Sequence, residues 1–142
     1  TCVDLAGDIF VARYSANGSY LWSKRFGGVN NNVGDSGEAV VVDASGNVVV
    51  TGYFLVSSDF GGGTLTSAGG ADVFVAKYSA SGGYLWSQRL GGIRMDQGFG
   101  IALDGGGNAV LTGRFQDTVD FGYGPLTSSA TSYDIFLVKL VP

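Results

Sequence analysis

The feature that most constrains this chain is that it matches itself. The run DIFVARYSANGSYLWSKRFGG from Asp8 to Gly28 returns as DVFVAKYSASGGYLWSQRLGG from Asp72 to Gly92. DASGNVVVTGYF from Asp43 to Phe54 returns as DGGGNAVLTGRF from Asp104 to Phe115. Asp59-Phe-Gly matches Asp120-Phe-Gly, and Thr64-Leu-Thr-Ser matches the Pro-Leu-Thr-Ser that ends at Ser128. A third copy opens at Asp134 with Asp-Ile-Phe-Leu-Val-Lys. The offset is 64 from Asp8 to Asp72 but 61 from Asp43 to Asp104, so three extra residues lie in the first copy, around Asn30-Asn-Asn32. A period of this length marks a repeat architecture whose units stack on one another.

Each copy reads as four strands. In the first, 8–14 and 20–26 are joined by Ser15-Ala-Asn-Gly18, and 38–43 and 47–54 by Ala44-Ser-Gly46. Gly supplies the positive φ of such short hairpin turns. The second copy gives 72–78, 84–90, 99–104 and 108–115, and the third gives 134–140. No segment has a helical period with caps. Val40-Val-Val42 and Val48-Val-Val50 are continuous apolar runs, whereas a strand wet on one face would alternate. These runs predict strands covered on both faces. Gly is abundant at 25 residues but has no three-residue period, which excludes collagen.

Asp-Ile-Phe-Val-Ala-Arg-Tyr, Leu-Trp-Ser, Gly-Gly and Asp-x-x-Gly-Asn-x-x-x-Thr-Gly, in this order, resemble the bacterial β-propeller repeat known as SBBP. The resemblance covers almost the whole chain, twice over. It implies an all-β fold of tandem four-stranded antiparallel propeller blades in a secreted or surface protein, and no established catalytic residues. It also implies that the Gly-x-Ala-Val-x-Asp strand lies innermost and the Leu-Trp-Ser strand outermost.

Labelled A to D from inside outward, the strands read C-D, A-B-C-D, A-B-C. Residues 1–28 form a partial blade of the two outer strands, 29–92 a complete blade, and 93–142 a blade lacking its outermost strand. That is about two blades plus one strand, and closed propellers have about four to eight blades. The chain is therefore incomplete as a single propeller. Its end faces would expose apolar surface at about 25 cal/mol per Å², and strand C of the last blade would offer an unpaired edge. The expected partners are copies of the chain itself, through blade edges and faces, giving a ring, or a fibre where the contact does not close. The expected function is that of an extracellular or cell-surface structural, self-assembling protein. The alternative is a carbohydrate- or protein-binding surface propeller of which this is a fragment. Thr1 is not Met and no signal peptide is present, so either a leader has been removed or the sequence is a piece of a longer chain.

Charge excludes some partners. With 8 basic against 12 acidic residues the net charge is −4, which argues against nucleic acid and anionic membrane surfaces. No apolar run approaches a membrane span. His is absent, which removes the commonest general base and metal ligand. Cys2, the one cysteine, reads as a small buried hydrophobe or an intermolecular contact.

Repeated aspartates are the candidate chemistry: Asp8, Asp72 and Asp134 at strand starts, Asp43 and Asp104 at turns, and Asp59 and Asp120 before Phe-Gly. Calcium binding or a glycosidase carboxylate pair is one reading. Recurrence in every copy favours turn hydrogen bonds instead. Asp43-Ala-Ser-Gly-Asn47 lacks the further ligands of a calcium loop, and Gly61–Gly63 and Gly105–Gly107 lack the Lys-Ser/Thr of a phosphate loop. No catalytic, metal or cofactor site is assigned, and no enzyme activity is expected. Asn17-Gly-Ser19 is a glycosylation sequon in a hairpin turn, which leaves a glycan as a candidate partner. Trp22 and Trp86 read as packing residues before sugar platforms. Residues that break the repeat carry the functional weight: Asn30–Asn32, Asp35 and Glu38 in the first copy, and Arg94, Met95, Asp96 and Arg114 in the second.

Overall fold

Gly-containing turns punctuate β-branched and aromatic runs, and strands form between them. The computed structural model describes residues 7–27, 34–129 and 132–141. Its strands are β1 (Ile9–Tyr14), β2 (Tyr20–Phe26), β3 (Ser36–Val42), β4 (Val48–Phe54), β5 (Ser57–Asp59), β6 (Thr64–Thr66), β7 (Asp72–Tyr78), β8 (Tyr84–Leu90), β9 (Gln97–Leu103), β10 (Ala109–Gln116), β11 (Thr118–Asp120), β12 (Pro125–Thr127) and β13 (Tyr133–Leu140). No helix occurs among the described residues, and hence none long and apolar enough to cross a membrane.

All pairings are antiparallel. A two-stranded sheet, β1-β2, is followed by a four-stranded sheet in the order β3-β4-β7-β8 and a three-stranded sheet in the order β9-β10-β13. The two short hairpins, β5-β6 and β11-β12, stand apart. None of the three sheets closes on itself.

β4 and β7 are buried on both faces, as their continuous apolar runs require. Val48, Val50, Phe54, Phe74, Ala76 and Tyr78 point one way, into a core completed by Ile9, Val11 and Phe26 of the first sheet. Val49, Val73 and Val75 point the other way, against Leu111, Phe136 and Val138 of the third. The sheets thus stack face to face, and neighbouring sheets repeat the same seam.

The repeated motifs hold this stack together. Thr51 Oγ1 donates to the Phe74 carbonyl at 2.7 Å, and Thr112 Oγ1 to that of Phe136 at 3.0 Å. The following Gly must be Gly: a Cβ on Gly52 would lie 1.9 Å from the Ser36 oxygen, and one on Gly113 2.0 Å from the Gln97 oxygen. In Asp-Phe-Gly, Asp59 accepts the Gly61 and Gly63 N–H groups at 2.7 and 3.1 Å, and Asp120 accepts those of Gly122 and Gly124 at the same distances. These bonds shape the loop that aims Phe60 at Phe74 (4.4 Å between rings) and Phe121 at Phe136 (4.7 Å).

The short hairpins are additions to the sequence-based strand assignment. β3 and β9 also begin earlier than expected, at Ser36 rather than 38 and at Gln97 rather than 99. Irregularities in pairing, between Gly37 and Ala39 and between Thr112 and Gly113, break the alternation at those ends.

Candidate functional site

The turn aspartates are occupied by their own backbone. Asp43 Oδ1 accepts the Ser45 and Asn47 N–H groups at 2.9 and 2.8 Å, and Lys77 Nζ lies 3.0 Å from Oδ2. Asp104 accepts the Gly106 and Asn108 N–H groups, each at 2.9 Å, with Lys139 Nζ at 2.6 Å. Desolvation opposes ionisation of Asp43, but hydrogen bonds from Asn47 and Lys77 outweigh it and bring its pKa down to about 2. The Lys139 ammonium, then Asn108, holds Asp104 lower still. Such carboxylates have spent their lone pairs, and no three His, Cys, Asp or Glu side chains converge as metal ligands among the described residues.

Asp72 and Asp96 differ. Both are wholly buried where the second sheet meets the third. Asp72 pairs with Arg89 and accepts the Ala68 N–H at 3.0 Å, while its Oδ1 has no partner. Asp96 Oδ2 accepts the Gly92 N–H at 2.7 Å, and Oδ1 that of Gln116 at 3.1 Å. A Cβ on Gly91 would lie 2.9 Å from both Asp72 Oδ1 and Asp96 Oδ2, so the two carboxylates share one small space. Burial first, then the charge of Asp72, lifts the pKa of Asp96 to about 6. Burial also raises that of Asp72, against its bond to Arg89.

The same arrangement recurs one seam earlier. Asp8 pairs with Arg25 at 3.2 Å, and Asp35 Oδ1 accepts the Leu55 N–H at 2.9 Å. This corrects the reading of Asp35 and Asp96 as repeat-breaking: they are equivalents, 61 positions apart. Their N–H groups donate to the Gly7 and Ala71 carbonyls, at 3.0 and 2.6 Å, and so tie the starts of β3 and β9 to the sheet before each. The three-residue insertion ahead of Asp35 hid the match.

Other repeat-breaking residues do gather. Arg114 on β10 lies between the rings of Tyr133 (4.1 Å) and Phe99 (5.5 Å), and its Nε donates to Gln97 Oε1 at 2.8 Å. The Tyr133 hydroxyl reaches Met95 Sδ at 3.7 Å. The counterparts of Arg114, Tyr133, Phe99, Gln97 and Met95 one repeat earlier are Tyr53, Ala71, Glu38, Ser36 and Gly34. Arg94 instead lies 3.9 Å from Asp117. Sequence reasoning picked out Arg94, Met95 and Arg114 but missed Phe99 and Tyr133, whose signal was the loss of Glu38 and Ala71 at equivalent positions. Asn17 lies in an exposed turn, where its side chain accepts the Ser19 N–H at 3.3 Å. Cys2 and Asn30–Asn32 lie outside the described residues.

Both outward sheet faces leave large apolar side chains uncovered. On the first sheet Phe10 is 76% exposed and Tyr14 59%. Beside β1 runs a groove of about 640 Å³ lined in part by Arg13, Val40 and Val42. On the third sheet Ile135 is 87% exposed and Leu137 77%. Among the described residues, β1 and β13 each pair on one side only.

No family model matches the chain. It is 26% identical over 136 residues to the uncharacterized WD repeat-containing protein L264 of Acanthamoeba polyphaga mimivirus, covering 83% of this chain and 10% of that protein. It is also 26% identical over 134 residues to the regulatory protein FlaEY of Caulobacter vibrioides, covering 92% of this chain and 14% of that protein. The chain thus spans about a tenth to a seventh of these relatives. Likeness to a WD repeat-containing protein, together with the internal repeat and the stacked antiparallel sheets, suggests a repeat protein of propeller-like type.

Proposed function

We propose that this chain is a propeller-type interaction scaffold whose working parts are sheet faces rather than an active site, and that it assembles with copies of itself. The three sheets are then a two-strand partial blade, a complete blade and a blade lacking its outer strand. One observation carries the reading: each end of the stack holds the counterpart of the other. The face bearing Ile9 and Val11 packs on that bearing Phe74, Ala76 and Tyr78, and the face bearing Val73 and Val75 packs on that bearing Phe136, Val138 and Leu140. Continued by one step, this rule sets Ile135 and Leu137 of one copy against Phe10, Ala12 and Tyr14 of the next. Such a head-to-tail contact makes a ring if it closes and a fibre if it does not. The SBBP resemblance adds an extracellular or cell-surface setting.

The test is the particle mass by light scattering, with electron microscopy of the same sample. Particles well above 14.6 kDa, lost in Leu137→Asp, are expected. A wild-type chain that stays monomeric up to high micromolar concentration overturns the reading. The Arg114 cluster favours a second reading, a surface that binds a peptide or glycan, because aromatic and Arg side chains concentrate at binding hot spots.

A further inference from the structure

We propose that Asp72 and Asp96 hold one proton between them, carried on Asp96 Oδ2 and given to Asp72 Oδ1, and that this proton latches the crossover loop 91–96 across the seam between the second and third sheets. Every group involved lies inside the chain, so the site is complete in itself and does not depend on self-assembly.

Hydrogen bonding places the proton. Asp72 is wholly buried. Its Oδ2 meets Arg89 and the Ala68 N–H, while Oδ1 faces no donor. A buried carboxylate oxygen without a donor has given up its hydration for nothing in return. Beside it stands the second buried carboxylate: Asp72 Oδ1 and Asp96 Oδ2 each lie 2.9 Å from the point that a Cβ on Gly91 would occupy. Asp96 Oδ2 already accepts the Gly92 N–H, and Oδ1 that of Gln116. A protonated Oδ2 keeps a lone pair for Gly92 and turns its O–H to Asp72, so every carboxyl oxygen of the pair is satisfied at once. Two ionised carboxylates cannot do this, because both only accept.

Charge points the same way. β8 supplies one cation to the pair, Arg89, and it lies against Asp72. The other elements packed here offer main-chain groups: the Ala68 N–H and Ala71 carbonyl before β7, the Gly92 N–H of the loop, and the Gln116 N–H at the end of β10. The loop's own Arg94 turns to Asp117, beyond β10, at 3.9 Å, and Asp134 on β13 is exposed. Two carboxylates against one guanidinium leave one excess negative charge, which one proton removes. Where two carboxylates share a site, the one without the cation takes it. Burial, and then the charge of Asp72, raise the pKa of Asp96 to about 6. The chain has no His, so no imidazole competes for protons in that range.

The latch follows from what Asp96 ties together. Its N–H donates to the Ala71 carbonyl at 2.6 Å, on the side of the second sheet. Its carboxyl holds Gln116, at the end of the third sheet's central strand. The loop is pressed close: a Cβ on Gly69 or Gly70 would lie 2.5 Å from the Ile93 oxygen or 2.6 Å from that of Arg94. Losing the proton leaves an uncompensated negative charge in this dry contact. The loop then gives way to let water reach the pair, and the amides that Asp96 holds lose their protection.

The test is infrared spectroscopy of the 142-residue chain, monomeric or assembled, with hydrogen exchange read by mass spectrometry over 91–96 and 113–117. At about pH 5, where ordinary carboxyls are largely ionised, the C=O stretch of one buried protonated carboxyl is expected. It should vanish by about pH 7.5 and be absent from Asp96→Asn. Exchange protection of both segments, corrected for the intrinsic rate, should fall roughly tenfold over the same range in the wild type and stay level in the variant. The wild-type exchange carries the pH dependence by itself, so the result stands even where the variant fails to fold. No such carboxyl band, a band that survives in Asp96→Asn, or protection indifferent to pH overturns the proposal. So does protection restored by added Ca²⁺ after the proton has left, which would make the space a cation site.

Discussion

Asp96→Asn tests what holds the second seam. In the folded protein Asp96 has a pKa of about 6, against an ordinary 3.8, because it is desolvated and shares its space with Asp72. A raised folded-state pKa makes the group stabilising when protonated. That contribution is fully present below about pH 4 and is lost as the pH rises through 6. Two units correspond to at most about 3 kcal/mol at neutral pH. Asn carries no charge and can donate to the unpartnered Asp72 Oδ1, but it leaves one of the Gly92 and Gln116 N–H groups without an acceptor, at about 1–1.5 kcal/mol. The net expectation at pH 7 is a gain of about 1–2 kcal/mol. Urea unfolding at pH 4, 5, 6 and 7 reads both effects. Wild-type stability should fall from pH 4 to 6, and the variant should be much flatter. Asp43 and Asp104 titrate in a separate window, with their stabilisation lost below pH 4, where their lowered pKa values place it. A loss above about 2 kcal/mol for Asp96→Asn at pH 7, or a wild type that gains stability from pH 4 to 6, would refute the reasoning.

Two further substitutions probe the repeat. Val56 has φ of +59° in an exposed junction, a left-handed conformation that strains a β-branched residue, so Val56→Gly should raise stability by about 1 kcal/mol in urea unfolding. Trp22→Phe removes a bonded indole and should cost about 1 kcal/mol, whereas Trp86→Phe removes an unpartnered one and should be neutral or slightly stabilising by thermal unfolding.

The long strands were legible because apolar patterning and turn residues agreed. The run Val48–Val50 reads as doubly buried and is so, whereas Val40–Val42, read the same way, lies on the half-covered β3 with Val40 and Val42 exposed, because its apolar run meets a first sheet too narrow to reach it. The hairpins β5-β6 and β11-β12 were not, since three-residue polar strands such as Ser57–Asp59 carry no periodicity. Their trace was the recurrence of Asp-Phe-Gly, visible as a match without its meaning: an aspartate folding a glycine loop so that Phe60 or Phe121 enters the core. The Asp72–Asp96 pair was invisible for another reason. Its members lie on different sheets, and only stacking brings them together.

A two-stranded sheet covers only part of its neighbour, and this bears on how assembly and binding relate. Within the chain the first sheet buries Val48 and Val50 of β4 but leaves Val40 and Val42 of β3 at 61% and 55% exposure, because among the described residues no strand extends β1 on that side. A copy stacked on the third sheet by the same rule would bring the same two strands. It would cover Ile135 and Leu137 on β13 and leave the β9 side bare. Phe99 stands on that bare side, but Arg114 on β10 lies opposite Ile135 and against the Tyr133 ring, beside the half that a copy would cover. Self-assembly and ligand binding at Arg114 would therefore compete: Leu137→Asp should dissolve the assembly by light scattering, and a ligand held at Arg114 should bind the dissociated chain more tightly than the assembly.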